Sequence, residues 1–295
     1  MNTSIDHTSD GPQAFKASMR AQWNTAASGW NAHAADIGAW LRKPTEAMCR
    51  MAGVRPGARV LDVAAGSGDQ TLAVAQEVGA QGYVLATDLS PAIVALARDN
   101  AARAGFAHVE TRVADGEDLG VPEASFDAAV CRLGLMFFPD PLRGLREMHR
   151  ALRPGGGVCT MVFSLPEKNP CLTILMSTAL KHAGLPARDP FQPGGLLSLG
   201  QSGHIDKLFR SAGFNDVATT ALDAVFHLPS VDHYLAFVRR SASPILQILG
   251  HLDAPAVEAA WSEMRERLMM FTTNDGWAGP NELLLTAGRR SGDPT

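Results

Sequence analysis

The residues best placed for chemistry lie in one run, Val60-Leu61-Asp62-Val63-Ala64-Ala65-Gly66-Ser67-Gly68-Asp69-Gln70-Thr71. An apolar, β-prone stretch runs into a turn of small residues that opens a helix. Glycine at such a corner lets a ligand approach the backbone, and the first helical turn offers N–H groups with no intrahelical partner. The spacing departs from the dinucleotide fingerprint G-x-G-x-x-G, because Thr71 stands at the third glycine position. A second feature is Asp88, twenty residues after Gly68, at the end of the next β-like run. A carboxylate there can accept both hydroxyls of a ribose; the competing reading is a cap for the following helix, a task open to Ser90. The third is Ala114-Asp115-Gly116-Glu117-Asp118-Leu119, where a carboxylate beside backbone N–H groups can grip an adenine edge. Glu117 and Asp118 themselves read as a solvated acidic loop.

Alternating elements must hold these groups. Strands are expected at 59–64, 82–87, 108–113, 126–131 and 158–163, and helices after Gly68, after Ser90-Pro91 and over 141–152. Serine followed by proline is a helix start, and Gly105 is a stop. Strands alternating with helices through short turns indicate a mostly parallel sheet covered on both faces. Before this core, 15–41 reads as helical and rich in tryptophan (Trp23, Trp30, Trp40), and Pro44 is expected to open a further short helix ending near Gly53. After residue 164 the rhythm changes to a helix over 172–183, a long loop over 184–203 and a short helix ended by Gly213. Strand material over 214–228, two more helices and a last strand over 282–288 complete the reading.

Composition narrows the function classes. A chain of 295 residues with 46% hydrophobic residues can bury a large core. The formal net charge of −4 gives no basic footprint for nucleic acid. The four cysteines, Cys49, Cys131, Cys159 and Cys171, show no C-x-x-C spacing and suggest reduced thiols, with no metal site to be argued from them. The polar first residues lack the apolar core of a secretory signal, and no run is long and apolar enough for a membrane span. A cytoplasmic protein with neither nucleic-acid nor membrane partners is expected; the oligomeric state is not legible.

Taken in order, VLDVAAGSGDQT, ATDLS, ADGEDL, CRLGLMFFPDP and LREMHRALRPGGG resemble a class I S-adenosylmethionine-dependent methyltransferase over about 45–165. Within that class the segment is similar to the ubiquinone/menaquinone-biosynthesis C-methyltransferase type. The resemblance implies a Rossmann-like α/β fold with a seven-stranded, mostly parallel sheet whose last strand is antiparallel. It implies S-adenosyl-L-methionine as cofactor, with Asp62, Ala64, Ala65, Gly66, Ser67 and Gly68 around its methionine and ribose. Asp88 would take the ribose hydroxyls, and Leu89, Asp115 and Gly116 the adenine. Cys131 and Arg132 would face the reactive methyl. One departure is visible: the usual acidic-x-Gly-x-Gly-x-Gly reads Asp62-x-Ala64-x-Gly66-x-Gly68.

The same resemblance divides the chain into a disordered tail (1–14), an N-terminal helical lid (15–43) and a cofactor-binding core (44–164). A lid insertion (165–203), more core (204–229), a helical lid insertion (230–275) and the last core strand with a tail (276–295) follow. Trp23, Trp30, Arg132 and Met136 are expected in the pocket of a small, partly apolar methyl acceptor. Met176, Phe237 and Trp261 are either pocket wall or ordinary core. His33 is the candidate general base, ahead of His182, His204, His227 and His233. The expected reaction is O- or C-methylation of a phenol, a quinone or a secondary metabolite. Alternatives are a protein or nucleic-acid methyltransferase, a nicotinamide-dependent oxidoreductase and a non-catalytic binder on the same fold.

Overall fold

The computed structural model of the chain describes residues 11–292. Five parallel strands form its centre: β1 (Arg59–Val63), β2 (Tyr83–Asp88), β3 (Val109–Val113), β4 (Phe126–Arg132) and β5 (Leu152–Phe163). Two late strands, β6 (Asn215–Asp223) and β10 (Glu282–Arg289), extend the sheet to seven in the order β3-β2-β1-β4-β5-β10-β6, and β10 runs antiparallel to both neighbours. Val60, Leu61 and Val63 are fully or almost fully buried, as the continuous apolar reading of a strand covered on both faces requires. β1 is flanked by β2 on one side and β4 on the other, so the chain reverses its order of travel there. Ligands of open parallel sheets sit in the crevice that such a reversal leaves beyond the carboxyl ends of the strands.

The crossover helices begin where the sequence places their caps. Gly68, at φ 92°, opens α3 (Asp69–Val78). The Ser90 hydroxyl accepts from the Ile93 N–H at 3.2 Å to open α4 (Pro91–Arg103), and Asp140 accepts from the Arg143 N–H at 3.0 Å to open α5 (Pro141–Ala151).

The N-terminal segment differs from expectation in two ways. Residues 1–10 of the expected tail lie outside the described residues, and residues 12–14 are helical: α1 spans Pro12–Ala32, with proline in its first turn. The chain then breaks at His33, and α2 spans Ala34–Ala52 with Pro44 inside it rather than at its start. Proline within a helix removes a hydrogen bond and costs about 3 kcal/mol, so packing must outweigh it. Here Ile37, Leu41, Met48 and Ala52 are fully buried. Trp40 stacks on Phe226 at 4.6 Å and donates its indole N–H to the Ala224 carbonyl at 2.8 Å.

Beyond β5 come α6 (Pro170–His182), α7 (His204–Ser211), α8 (Val231–Ser241), α9 (Ser243–Leu249) and α10 (Ala254–Leu268). Where two helices were expected after residue 229, there are three. The strand material expected over 214–228 is split: β7 (Phe226–Leu228) leaves the main sheet and pairs with β9 (Gly276–Gly279), which also pairs with β8 (Thr272–Thr273). Trp277 on β9 is buried, stacks on Tyr234 at 4.5 Å and donates to the Leu268 carbonyl at 2.9 Å. This small sheet was not foreseen, since strands of two to four residues carry little alternation to read. Among the described residues no helix is long and apolar enough to cross a membrane.

Candidate functional site

The carboxyl ends of β1 and β4 meet at one cavity. Ala64 and Leu133, the residues that follow these strands, both have positive φ, 54° and 55°. Non-glycine residues in that region cost of order 1–3 kcal/mol and persist where surrounding structure forces them. Here the force is close packing: a Cβ added to Gly134 would lie 2.4 Å from the Ala64 Cβ. Two strand ends are therefore pressed together, and the chain turns sharply away from each. The backbone of Ala64, Ala65 and Gly66 is left on the cavity wall. A Cβ built at Gly66 would meet only the Trp30 indole nitrogen, at 3.8 Å, so this side of the corner is an open cradle.

Asp88 closes the cradle from the end of β2. One of its oxygens accepts from the Gly66 N–H at 3.2 Å and the other from the Ser90 N–H at 3.0 Å. Each carboxylate oxygen offers two lone-pair sites, so the group retains capacity for a further donor such as a ribose hydroxyl. Burial pushes the Asp88 carboxyl upward, against the pull of N–H donors from Ser90, Gly66 and Leu89. The cap and ribose readings of Asp88 are thus compatible, because Ser90 carries the side-chain cap of α4. Leu89, Asp115 and Gly116 continue the wall. The face of Gly116 where a side chain would project is filled by the Phe138 ring, 2.1 Å from a built Cβ.

Several expected site residues stand elsewhere. Asp62, Ser67, Gly68 and Cys131 do not line the cavity. Asp62 is fully buried beneath the corner and accepts from Gln70 and, at 2.6 Å, from the Thr71 hydroxyl. It holds the first turn of α3 in place, which leaves no oxygen aimed at a ligand. Gly68 packs against Ala97 of α4, at 3.1 Å from a built Cβ. Cys131 is fully buried, and desolvation pushes its thiol up to about 12, so it is an inert core residue. Arg132 does reach the cavity, but as half of an ion pair with Asp69 at 2.5 Å, with the Thr45 hydroxyl accepting a second N–H at 2.9 Å. Glu117, read as solvated, is 4% exposed and lines the cavity; it accepts from the Asp140 N–H at 2.7 Å and pairs with Lys16 at 2.6 Å. Asp118 is exposed, as read.

His33 is not on the cavity wall. Its ring turns to Asp36 at 3.3 Å and packs edge-on to Phe237, so the candidate base points away from the chamber. His182 pairs with Glu263 at 2.9 Å, and no histidine lines the cavity among the described residues. Trp23 and Trp30 do line it, with ring centroids 6.1 Å apart, and Trp23 meets Phe137 at 5.4 Å. Met136 lines it too, and its carbonyl accepts from the Ser198 hydroxyl at 2.8 Å, which ties the long loop to the site. Of the three residues left between wall and core, Phe237 is wall. Met176 and Trp261 are packing, Trp261 lying under the Arg239 guanidinium at 4.7 Å.

The sequence reading missed the clamps that lay α1 across the site. Lys16 pairs with Asp115 at 2.6 Å as well as with Glu117. Asn24 accepts from the Ser90 hydroxyl at 2.6 Å, and Asn31 accepts from Asn100 at 2.9 Å. It also missed the far wall, where Trp40, Phe163, Leu172, Phe226 and Val238 make an apolar chamber interrupted by Tyr234, Ser241 and Asn281. No local pattern could have revealed it, because its residues come from five separate elements.

A mostly parallel seven-stranded sheet with an antiparallel last strand, and a glycine corner facing an acidic strand end, have the layout of the class I S-adenosylmethionine-dependent methyltransferase fold. More narrowly, residues 39–180 match the model of the ubiE/COQ5 methyltransferase family. The chain is 37% identical over 120 residues to the ubiquinone/menaquinone biosynthesis C-methyltransferase UbiE of Teredinibacter turnerae, covering 40% of this chain and 48% of that one. The chain thus spans about half the length of the curated relatives it matches. Among solved structures it is similar to YcgJ of Bacillus subtilis, with a TM-score of 0.58 and 19% identity over 85% of this chain and 99% of that one. It is also similar to the [4+2]-cyclase SpnF, with a TM-score of 0.52 and 22% identity over 85% of this chain and 81% of that one. These structural likenesses speak for the fold alone. The nicotinamide alternative finds no support in the family matched.

Proposed function

We propose that the protein transfers a methyl group from S-adenosylmethionine to a small, partly apolar ring acceptor of phenol or quinone type, on oxygen or carbon, in the cytoplasm. The observation that carries this reading is the continuity of one cavity from the Ala64–Gly66 cradle and Asp88 to the chamber of Trp40, Phe163, Phe226 and Phe237. The open cradle at Gly66 and the free lone pairs of Asp88 fit an adenosyl group. In this reading Asp88 holds the ribose hydroxyls, Asp115 and Leu89 flank the adenine, and Ala64–Gly66 meet the methionine portion through backbone groups. S-adenosylmethionine, when bound, supplies an electrophilic methyl on a sulfonium.

What remains for the chain is to position and to exclude water. Alignment alone is worth up to roughly 7–11 kcal/mol in the most favourable intramolecular reactions. Trp23, Trp30 and Phe237 cover the cavity from α1 and α8, and aromatic walls hold a flat ring with few polar contacts. Five of the ionisable groups on the wall are already paired with one another: Arg132 holds Asp69, and Lys16 holds Asp115 and Glu117. With no histidine on the wall among the described residues, the acceptor should be one that ionises readily, as phenols and hydroquinones do and aliphatic alcohols do not. The name of the UbiE relatives, C-methyltransferases of quinone biosynthesis, favours the same acceptor class.

The test is turnover with methyl-labelled cofactor over a panel of phenols, hydroquinones, amines and sugars. Label should pass to phenols or hydroquinones with equimolar release of S-adenosylhomocysteine. Label confined to amines or sugars would overturn the acceptor class, and no transfer to any member would overturn the activity.

A further inference from the structure

Behind the cavity wall, three potential ligand atoms converge from separate places in the chain. The Asp36 carboxylate, in the first turn of α2, has one oxygen 3.3 Å from His33 Nδ1 and 3.0 Å from His233 Nε2. The three ligand atoms all lie within 4.8 Å of one another. Two further facts set this apart from a casual surface contact. First, among the described residues Asp36 has no lysine or arginine partner; two imidazoles are its whole company. Asp232, the chain neighbour of His233, is by contrast engaged by Arg265 at 2.7 Å and 3.0 Å. Second, each ligand is carried by a pinned helix terminus. The His33 N–H donates to the Trp30 carbonyl while its own carbonyl accepts from Ile37, which fixes the α1–α2 break. The His233 N–H donates to the Ser230 hydroxyl at the start of α8. Rigid backbones at all three positions pre-organise the side chains.

We propose that His33, Asp36 and His233 bind a borderline divalent cation, zinc foremost, and that the ion pins the α1–α2 junction to α8. Imidazole nitrogens and a carboxylate oxygen are the donor set that suits zinc and its neighbours, rather than calcium or magnesium, which take oxygen. Bonds of about 2.0 Å in a tetrahedron place ligand atoms ~3.3 Å apart, close to two of the three spacings already present. Bringing the two ring nitrogens together needs only side-chain rotation, for which the half-exposed His233 has room. At 12% exposure for His33 and 32% for Asp36 the cluster borders solvent, which leaves the fourth position to water. The site lies outside the cavity but touches it mechanically. The His33 ring packs against Phe237 at 5.4 Å, and Phe237 packs against Trp30 at 5.5 Å; both Trp30 and Phe237 are cavity wall. The ion would hold the covering helices in register and take no part in chemistry. This departs from the sequence reading, which expected no metal, because residues 33, 36 and 233 come together only in the fold.

The test is calorimetric titration of chelator-stripped protein with zinc chloride, with cobalt chloride as an optical reporter of the coordination. The full-length wild type should take up one equivalent of zinc and show the visible bands of low-coordinate cobalt. His233→Ala and Asp36→Asn should each weaken binding at least tenfold and lose those bands. Asp36→Asn is nearly isosteric, so it decides the question should His233→Ala fail to fold. Zinc should raise the Tm of the wild type and leave that of Asp36→Asn unchanged. No uptake by the wild type, or uptake undiminished in both variants, overturns the site. Neither readout depends on methyl transfer.

Discussion

Ala64 stands where the acidic-x-Gly-x-Gly-x-Gly pattern has its first glycine, and its φ of 54° shows why glycine suits that position. Replacing it by glycine removes left-handed strain of about 1–2 kcal/mol but adds roughly 0.5–1 kcal/mol of unfolded-chain entropy. Ala64→Gly should therefore be as stable as the wild type or up to about 1 kcal/mol more so, by urea denaturation. Gly134→Ala should lose about 2 kcal/mol or more, because its Cβ would collide with that of Ala64. The opposite ranking would contradict the reading of two strand ends under mutual pressure. Asp62 offers a pH test. Burial pushes its carboxyl up to about 7, against the pull of the Thr71 and Gln70 hydrogen bonds. Between about pH 4 and pH 7 the folded chain keeps a proton that the unfolded chain has released, so this contribution is present at low pH and fades as pH rises. Asp62→Asn cannot titrate. Its stability relative to wild type should climb from pH 4 to pH 7, and a constant difference would mean that Asp62 is ionised throughout.

Elements were legible to the extent that their signals are local. The cap Ser90 and the turn at Gly66–Gly68 name their helices from single residues, and most of the five central strands announce themselves as apolar runs. Pro44 misled because a local rule met a tertiary demand: the buried face of α2 carries the helix straight through it. Tryptophans at 23 and 30 did mark α1 as part of the site, but not what holds it there. Lys16 and Asn24 hold it, through Asp115, Glu117 and Ser90. If α1 is the cover of the cofactor end, loosening those clamps should speed release more than it harms the fold. Combining Lys16→Ala with Asn24→Ala should raise the S-adenosylhomocysteine off-rate about tenfold in stopped-flow displacement, with the Tm within a few degrees of wild type. An unchanged off-rate would show that α1 does not gate that end.

At the scale of the whole molecule, the match to the ubiE/COQ5 family model ends at residue 180, and the matched segment is the one that builds the cradle. The apolar chamber draws on α1, α2, α8 and the strand segment at Phe226, which are joined only by folding. That is why Asp88 and Gly66 of the cavity wall could be named from spacing while Tyr234, Ser241 and Asn281 could not. It is also why the spacing named Asp62, Gly68 and Cys131, which lie behind the cavity wall, together with residues that line it: a motif names neighbours in sequence, and only a third dimension tells which of them face the cavity. The central claim is that the corner and Asp88 together grip an adenosyl group. Calorimetric titration with S-adenosylhomocysteine tests it most directly, on wild type and on Asp88→Ala, with circular dichroism to show that both are folded. One equivalent should bind the wild type, and binding to folded Asp88→Ala should fall at least tenfold. No binding to the wild type, or equal binding to both, would contradict the account.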